Sequence, residues 1–247
     1  MSARIARRVL AEAAGTALLV GIGTGAIVLS AGVGGVPQWE LAVAWYVAVL
    51  VPIALFVETS GAHLNPAVTL GLVVSGRVAW HEVPAYVLGQ FAGAFLGSAG
   101  VALSLGTQAR LGSTVPSTSA IAAFSAEATF TAMLVAAVFF LADRGEGRLR
   151  WRLTVPPLVV GISTYIIGPF TGSSLNPART IAPAVLSGTF ADLWIYLTAV
   201  PLGAFLVGVT WRPRSVDRLD RGPGRRLSDE GEPAPRVHGG REGSDGR

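Results

Sequence analysis

Six long apolar stretches limit what this chain can fold into. A helix needs about 20 mostly apolar residues to cross the hydrocarbon core of a bilayer. The stretches lie at about 9–34, 41–59, 84–105, 120–142, 154–170 and 190–211. Charged residues make up only 14% of the chain, and many of them lie after Arg212. The rest are too few to cover a soluble protein, so the sequence predicts an all-α, multi-pass membrane protein.

The arginines of the short loops indicate how the six spans are oriented. On one side of the membrane the loops contain several, and on the other side they contain Arg110 alone. The first group is Arg4, Arg7, Arg8, Arg77, Arg144, Arg148, Arg150, Arg152, Arg212 and Arg214. Because positively charged loops stay in the cytoplasm, we expect both termini there and the protein in the cell membrane. Topology also accounts for the net charge of +4, so we expect the lipid bilayer and no nucleic acid as a partner.

The composition changes after Arg212. Residues 213–247 are rich in Gly, Pro, Ser, Asp, Glu and Arg and contain few apolar residues. Such a segment cannot bury enough apolar surface to offset the entropy of ordering it. We therefore predict a membrane domain over residues 1–212 and a disordered cytoplasmic tail over residues 213–247.

The membrane domain consists of two similar halves, at about 8–105 and 120–211. The matching segments are Ala11-Glu12-Ala13 with Ala126-Glu127-Ala128, Leu64-Asn65-Pro66-Ala67 with Leu175-Asn176-Pro177-Ala178, and Gly93-Ala94-Phe95-Leu96 with Gly203-Ala204-Phe205-Leu206. Each half contains three spans, an odd number, so the second half enters the membrane from the opposite face. The sequence therefore predicts an inverted repeat, an architecture that transport proteins use.

Two shorter apolar stretches, near 66–75 and 177–187, begin at the Asn-Pro steps of the repeat. They are too short to cross a bilayer, and Pro suits the first turn of a helix. We predict two re-entrant half-helices whose N-termini meet near the membrane midplane. Irregular backbone at that depth is tolerated only inside protein or around a water-filled cavity. The predicted meeting point therefore indicates a pore, with residues 1–212 as its channel domain.

The predicted pore is lined by hydrogen-bond donors. Two helix N-termini present free N–H groups and positive dipole ends, and Asn65 and Asn176 add amide donors. Donors without acceptors orient water oxygens and interrupt a proton wire, while the positive potential repels cations. Arg179, inside the second half-helix, adds a second positive barrier. A charge at that depth is itself a functional hypothesis.

The two Asn-Pro-Ala triplets resemble the paired motif of the aquaporin (major intrinsic protein) family. They are Asn65, Pro66 and Ala67, and Asn176, Pro177 and Ala178. The resemblance covers about residues 8–211. It implies six transmembrane helices with two half-helices, a passive channel for water and small uncharged solutes such as glycerol that excludes protons and ions, and a homotetramer with one pore per subunit.

The resemblance also implies a selectivity filter of four residues, Trp45, Thr164, Ser173 and Arg179. Strict water channels of the family typically have Phe and His at the first two positions, whereas Trp is typical of glycerol facilitators. Thr180 and Ala184 are of the water-channel type. The pair Tyr196-Leu197 is similar to that of plant nodulin-like channels, which also have a filter Trp. The resemblance therefore implies a mixed and wider filter.

Three titratable residues near the repeat motifs leave alternatives open. Glu12 and Glu127 are repeat mates inside apolar spans, where a carboxylate is costly unless it is paired. By the resemblance they support the half-helices, and alternatively they couple transport of a neutral solute to protons. His63 precedes the first motif and is either structural or part of a pH-sensitive cytoplasmic mouth.

The residue inventory argues against an enzyme. The chain has no Cys and three His, at positions 63, 81 and 238, with no metal-ligand spacing on one helix face. We expect no catalytic residues, no metal and no cofactor. Gly89, Gly93 and Gly97 lie at four-residue spacing, and we expect this small-residue face to serve helix packing within the chain.

Overall fold

The computed structural model describes residues 3–143 and 149–211. The predicted tail at 213–247 lies outside the described residues, as do Arg144, Arg148, Arg212 and Arg214 of the orientation argument. The division into a channel domain and a tail therefore stays a prediction.

The described part of the chain is helical and contains no β-strand. Six helical segments are long and apolar enough to cross a membrane, and two of them, Trp80–Leu105 and Leu149–Thr171, include a short turn before the main helix. The main helices are α1 (Ala3–Gly32), α2 (Gln38–Ser60), α4 (Val83–Leu105), α5 (Ala120–Ala142), α7 (Val155–Thr171) and α9 (Leu193–Thr210). The half-helices are α3 (Pro66–Val74) and α8 (Pro177–Ser187), and α6 (Leu149–Arg152) is a single turn. The predicted six spans and two half-helices are confirmed.

The first helix begins well before its apolar stretch. We predicted a span from about residue 9, whereas α1 begins at Ala3. Arg is a good helix former, so the helix continues through Arg4, Arg7 and Arg8 although these residues are not apolar. An ion pair between Arg8 and Glu82 joins this end of α1 to the start of α4.

Glycines bring helices of the same half into backbone contact. A Cβ placed on Gly93 of α4 would lie 2.1 Å from the carbonyl oxygen of Ala13 in α1. A Cβ on its repeat mate Gly203 of α9 would lie 2.2 Å from the carbonyl oxygen of Ala128 in α5. Gly89 and Gly97 face α1 in the same way. The small-residue face of α4 therefore packs within the chain.

Both half-helices begin with the same cap. The side-chain oxygen of Asn65 accepts a hydrogen bond from the backbone N–H of Ala67 at 2.8 Å, and that of Asn176 accepts one from Ala178 at 3.0 Å. A Pro follows each Asn, at a position where the missing N–H leaves no bond unmade. Each Asn is therefore held rigidly at a helix N-terminus, and the rest of its side chain is positioned with it.

Candidate pore

The two half-helices meet through a pair of crossed hydrogen bonds. The Asn65 amide nitrogen donates to the carbonyl of Leu175 at 2.7 Å, and the Asn176 amide nitrogen donates to the carbonyl of Leu64 at 2.8 Å. Each amide nitrogen carries a second hydrogen, which no described residue accepts. Each Asn therefore links the two halves and keeps one N–H that has no acceptor among the described residues.

The loops before the half-helices have left-handed backbone at repeat-related positions. Leu64 has φ 55° and Leu175 has φ 53°, while Ala62 and Ser173 have φ 49° and 45°. This region is unfavourable for residues other than Gly and is retained only where surrounding contacts impose it. The left-handed Leu residues are also the ones whose carbonyls receive the crossed Asn bonds, so the strained backbone lies at the junction itself.

Glu12 holds the first of these loops. One of its carboxylate oxygens accepts bonds from the Ser60 hydroxyl at 2.6 Å and the His63 backbone N–H at 3.0 Å. The other accepts from the Leu64 N–H at 2.7 Å and the Gln90 amide at 2.8 Å. Hydrogen bonds of this kind stabilise a buried carboxylate and fix the loop against α1.

Glu127 holds the second loop in the same way. Its carboxylate accepts bonds from the Thr171 hydroxyl at 2.7 Å, the Ser174 N–H at 2.9 and 3.1 Å, and the Leu175 N–H at 3.0 Å. Both carboxylates are completely buried, and in the described part of the chain all of their hydrogen bonds come from the loops and from the helices that flank them. Nothing in this arrangement favours the alternative of proton coupling.

The second half-helix, α8, contains one charged residue, Arg179, and it lies close to the junction. Its side chain is only 1% exposed. One terminal nitrogen donates to the carbonyl of Gly112 at 2.9 Å, and the other donates to that of Gly172 at 3.4 Å. Its Nε atom is buried and has no hydrogen-bond partner among the described residues. The guanidinium is thus fixed by main-chain carbonyls and retains an unused donor.

Trp45 lies against that guanidinium. The Arg179 Cζ atom is 4.6 Å from the centroid of the Trp45 ring, within the range of a cation–π interaction. The Trp45 side chain is buried, with 3% exposure. The structure therefore brings together two of the four predicted filter residues, one from α2 and one from α8.

The other two predicted filter residues lie on α7 and on the loop before α8. The Thr164 hydroxyl is buried and has no hydrogen-bond partner in the described residues, and its backbone carbonyl accepts from Gln38 at 2.6 Å. The Ser173 hydroxyl is 2.9 Å from the hydroxyl of Ser163, the neighbour of Thr164. Ser173 is thus attached to α7, while Thr164 keeps a free hydroxyl.

Comparison with known proteins shows which family has this architecture. The sequence profile of the Major intrinsic protein family matches residues 1–211. The chain belongs to the major intrinsic protein family. It is therefore a passive membrane channel for water and small solutes and not an enzyme, and the family does not favour the coupled-transporter alternative.

Individual members of the family show its likeness to the nodulin-like group. The chain is 35% identical over 202 residues to Aquaporin NIP1-1 of Zea mays, covering 80% of this chain and 71% of that protein. It is 36% identical over 216 residues to Probable aquaporin NIP7-1 of Arabidopsis thaliana, covering 85% and 77%. The aquaglyceroporin of Plasmodium falciparum superposes with a TM-score of 0.77 at 26% identity, covering 83% and 94%.

His63 is packed into the first loop of this aquaporin-family fold. Its Nδ1 atom is 3.2 Å from the Thr69 hydroxyl, and its ring stacks on Tyr86 with centroids 4.2 Å apart. Tyr86 in turn donates its hydroxyl to the carbonyl of Ser60 at 2.7 Å. One ring nitrogen and one face of the His63 ring are thus engaged, and a role at the cytoplasmic mouth stays a prediction.

Sequence reasoning missed the contribution of the 106–119 loop. Gly112 supplies a carbonyl to Arg179, and the Thr114 hydroxyl lies 3.2 Å from that of Thr180. Three consecutive residues before Gly112 have left-handed backbone, with φ of 49°, 52° and 54° at Ala109, Arg110 and Leu111. No sequence motif identifies this loop. Its contacts with Arg179 and Thr180 arise because it folds back over α8, and the sequence does not indicate that path.

Proposed function

We propose that this aquaporin-family channel passes water and small uncharged solutes such as glycerol through a filter of Trp45, Thr164, Ser173 and Arg179. The observation that carries the proposal is the fixed Arg179 guanidinium beside the Trp45 ring. A polyol needs hydrogen-bond donors beside an apolar surface, and this pair offers both. The free Thr164 hydroxyl supplies a further polar contact for such a solute.

The same residues support the exclusion of ions and protons. Arg179 repels cations before they reach the junction of the half-helices. At the junction, Asn65 and Asn176 each keep a donor, and both helix N-termini point there with their positive dipole ends. Water oxygens accept from these donors, which orients the molecules and interrupts proton transfer along them. Glu12 and Glu127 support the half-helices by binding the preceding loops.

The assembly and its orientation belong to the same proposal. We place the protein in the cell membrane as a homotetramer with one pore per subunit, as family membership suggests. The arginine bias of the loops supports cytoplasmic N- and C-termini. Residues 1–212 then form the channel and residues 213–247 a cytoplasmic tail.

Stopped-flow light scattering on proteoliposomes tests the proposed function. Vesicles are exposed to a gradient of an impermeant sugar and, separately, to a glycerol gradient, with protein-free vesicles as the control. We expect fast shrinking in sugar and fast reswelling in glycerol. Shrinking at the rate of protein-free vesicles would refute the channel, and shrinking without reswelling would refute the glycerol-permeable filter.

Thr164→His tests the position of the filter. The imidazole is larger than the Thr side chain and adds a ring nitrogen, so the opening narrows. We expect the ratio of glycerol to water permeability to fall about tenfold, the scale of a change of one small group in a tight site. An unchanged ratio would show that Thr164 does not line the filter.

A further inference from the structure

Gly23 lies directly behind the Trp45 ring. A Cβ placed on this buried glycine of α1 would be 2.6 Å from Cη2, 2.6 Å from Cζ3 and 2.8 Å from Cε3 of Trp45. The three atoms are consecutive in the six-membered ring and nearly equidistant from the Cβ position. An approach to the ring edge would make the outer two distances much longer than the central one, so Gly23 contacts the face of the ring.

Backbone conformation does not explain a glycine at this position. Gly23 is not among the residues with positive φ, and it lies inside the 30-residue helix α1. Gly in a helix interior costs about 0.5–1 kcal/mol relative to Ala. The contact with Trp45 is the feature that requires the absence of a side chain here.

The neighbouring glycines of α1 differ from Gly23 in this respect. A Cβ on Gly25 would lie 3.6 Å from Val101 and 3.7 Å from Leu105, which are ordinary contact distances. A Cβ on Gly21 would approach nothing closer than 3.9 Å. Of these three glycines, Gly23 alone meets a filter residue, and Gly25 provides a matched control on the same helix.

We propose that Gly23 is a specificity-determining position that sets the opening of the filter by letting the Trp45 ring lie against the backbone of α1. A methyl group at position 23 displaces the ring away from α1. Because the same ring contacts Arg179, its displacement shifts the aromatic wall toward the groups that select the solute. The inference rests on the proposed function, since it assigns how the size limit of that filter is set.

Gly23→Ala and Gly25→Ala separate the two glycines experimentally. Water flux and the fluxes of formamide, urea and glycerol are measured in proteoliposomes with equal amounts of folded protein. We expect Gly23→Ala to lower the flux of the largest solute that the wild type conducts about tenfold relative to water. If the wild type conducts water alone, water flux itself falls by that factor. Gly25→Ala should stay within about twofold of the wild type, since its Cβ meets no close contact.

Replacing the Trp45 ring tests the mechanism. It also distinguishes an effect on the ring from poor folding of the Gly23→Ala variant. In a Trp45→Leu background the Cβ at position 23 meets no indole, so Gly23→Ala should leave the flux ratios of that background unchanged. An unchanged ratio in the Gly23→Ala single variant would overturn the inference, as would an equal loss with and without Trp45. Absence of water and solute flux in the wild type would instead overturn the proposed function.

Discussion

Arg179 illustrates how a buried cation is held in an apolar protein. It has no carboxylate among its hydrogen-bond acceptors in the described residues, and its two bonds go to the carbonyls of Gly112 and Gly172. Carbonyl dipoles orient the guanidinium without neutralising it. In the proposed filter, the positive charge is therefore available to repel cations.

Removing this charge has a specific expected result. In Arg179→Ala the filter loses its cation and widens, so we expect larger neutral solutes to pass and ion or proton leakage to rise about tenfold or more, since a converging positive potential is what excludes cations. Leakage is measured with a pH-sensitive dye in proteoliposomes. Arg150→Ala, which removes an exposed arginine of α6, is the control and should behave as the wild type. Equal leakage in wild type and Arg179→Ala would contradict the assigned role.

Glu12 and Glu127 carry a second residue-level prediction. In Glu12→Gln or Glu127→Gln one acceptor oxygen becomes an NH₂ group that faces backbone donors. We expect each change to lower the free energy of unfolding by about 2–4 kcal/mol, since buried donors lose a charged acceptor. Thermal unfolding in detergent measures this loss, with the exposed Glu58→Gln as control. A solute flux that follows a pH gradient in the wild type and is lost in either variant would instead support coupled transport.

Among the elements, the helix pairs α1–α4 and α5–α9 depend on glycine. Gly93 and Gly203 leave no room for a Cβ against a rigid backbone carbonyl, so the helices of each pair must separate to accept one. We expect Gly93→Ala and Gly203→Ala each to destabilise the fold by about 3 kcal/mol or more, the upper range for overpacking. Gly100→Ala on α4, where a Cβ meets nothing within 4 Å, is the matched control. Size-exclusion profiles of purified protein measure the folded fraction, and wild-type yields for Gly93→Ala would contradict the packing.

The helices could be predicted from the sequence better than the contacts between distant loops. The lengths of the apolar stretches determine the spans, and the Asn-Pro steps mark the starts of α3 and α8 at Pro66 and Pro177. Glu12 and Glu127 are buried carboxylates at matching positions of the two halves, and each needs hydrogen-bond donors. Their attachment to the loops could therefore be predicted from the sequence. The Gly112–Arg179 bond and the packing of Trp45 on Gly23 were not, because neither pattern nor spacing indicates which distant residues meet.

At the scale of the whole molecule, a polar cluster breaks the symmetry of the halves. Arg77, after α3, binds the Asp143 carboxylate through Nη2 at 2.6 and 2.8 Å and donates to the Trp211 carbonyl at 3.0 Å. The Trp211 indole also donates to Asp143 at 2.8 Å. The repeat mate of Arg77 is Gly188, which cannot form such a cluster. In the described part of the chain, the cluster therefore joins the ends of α3, α5 and α9, and the symmetry-related position has no counterpart of Arg77.

This cluster should contribute to the stability of the whole chain rather than to permeation. Asp143→Asn removes the negative charge that Arg77 and Trp211 bind. We expect the free energy of unfolding to fall by about 1–2 kcal/mol, the scale of a charge-assisted hydrogen bond. The midpoint of thermal unfolding measures this loss, and water flux in proteoliposomes should be unchanged. Asp192→Asn, at an exposed position outside the cluster, is the control. An equal shift of the midpoint in both variants would contradict the role of the cluster.

The crossed bonds of Asn65 and Asn176 bear on how such a chain could have arisen. Among the described residues, the acceptor of each Asn amide nitrogen is a carbonyl of the other half, which lies inverted in the membrane. A half-length ancestor could reproduce this junction only by pairing with a copy of itself inserted the opposite way round. Gene fusion would then have joined the two oppositely inserted copies in a single chain, in which the loops determine the orientation of each half.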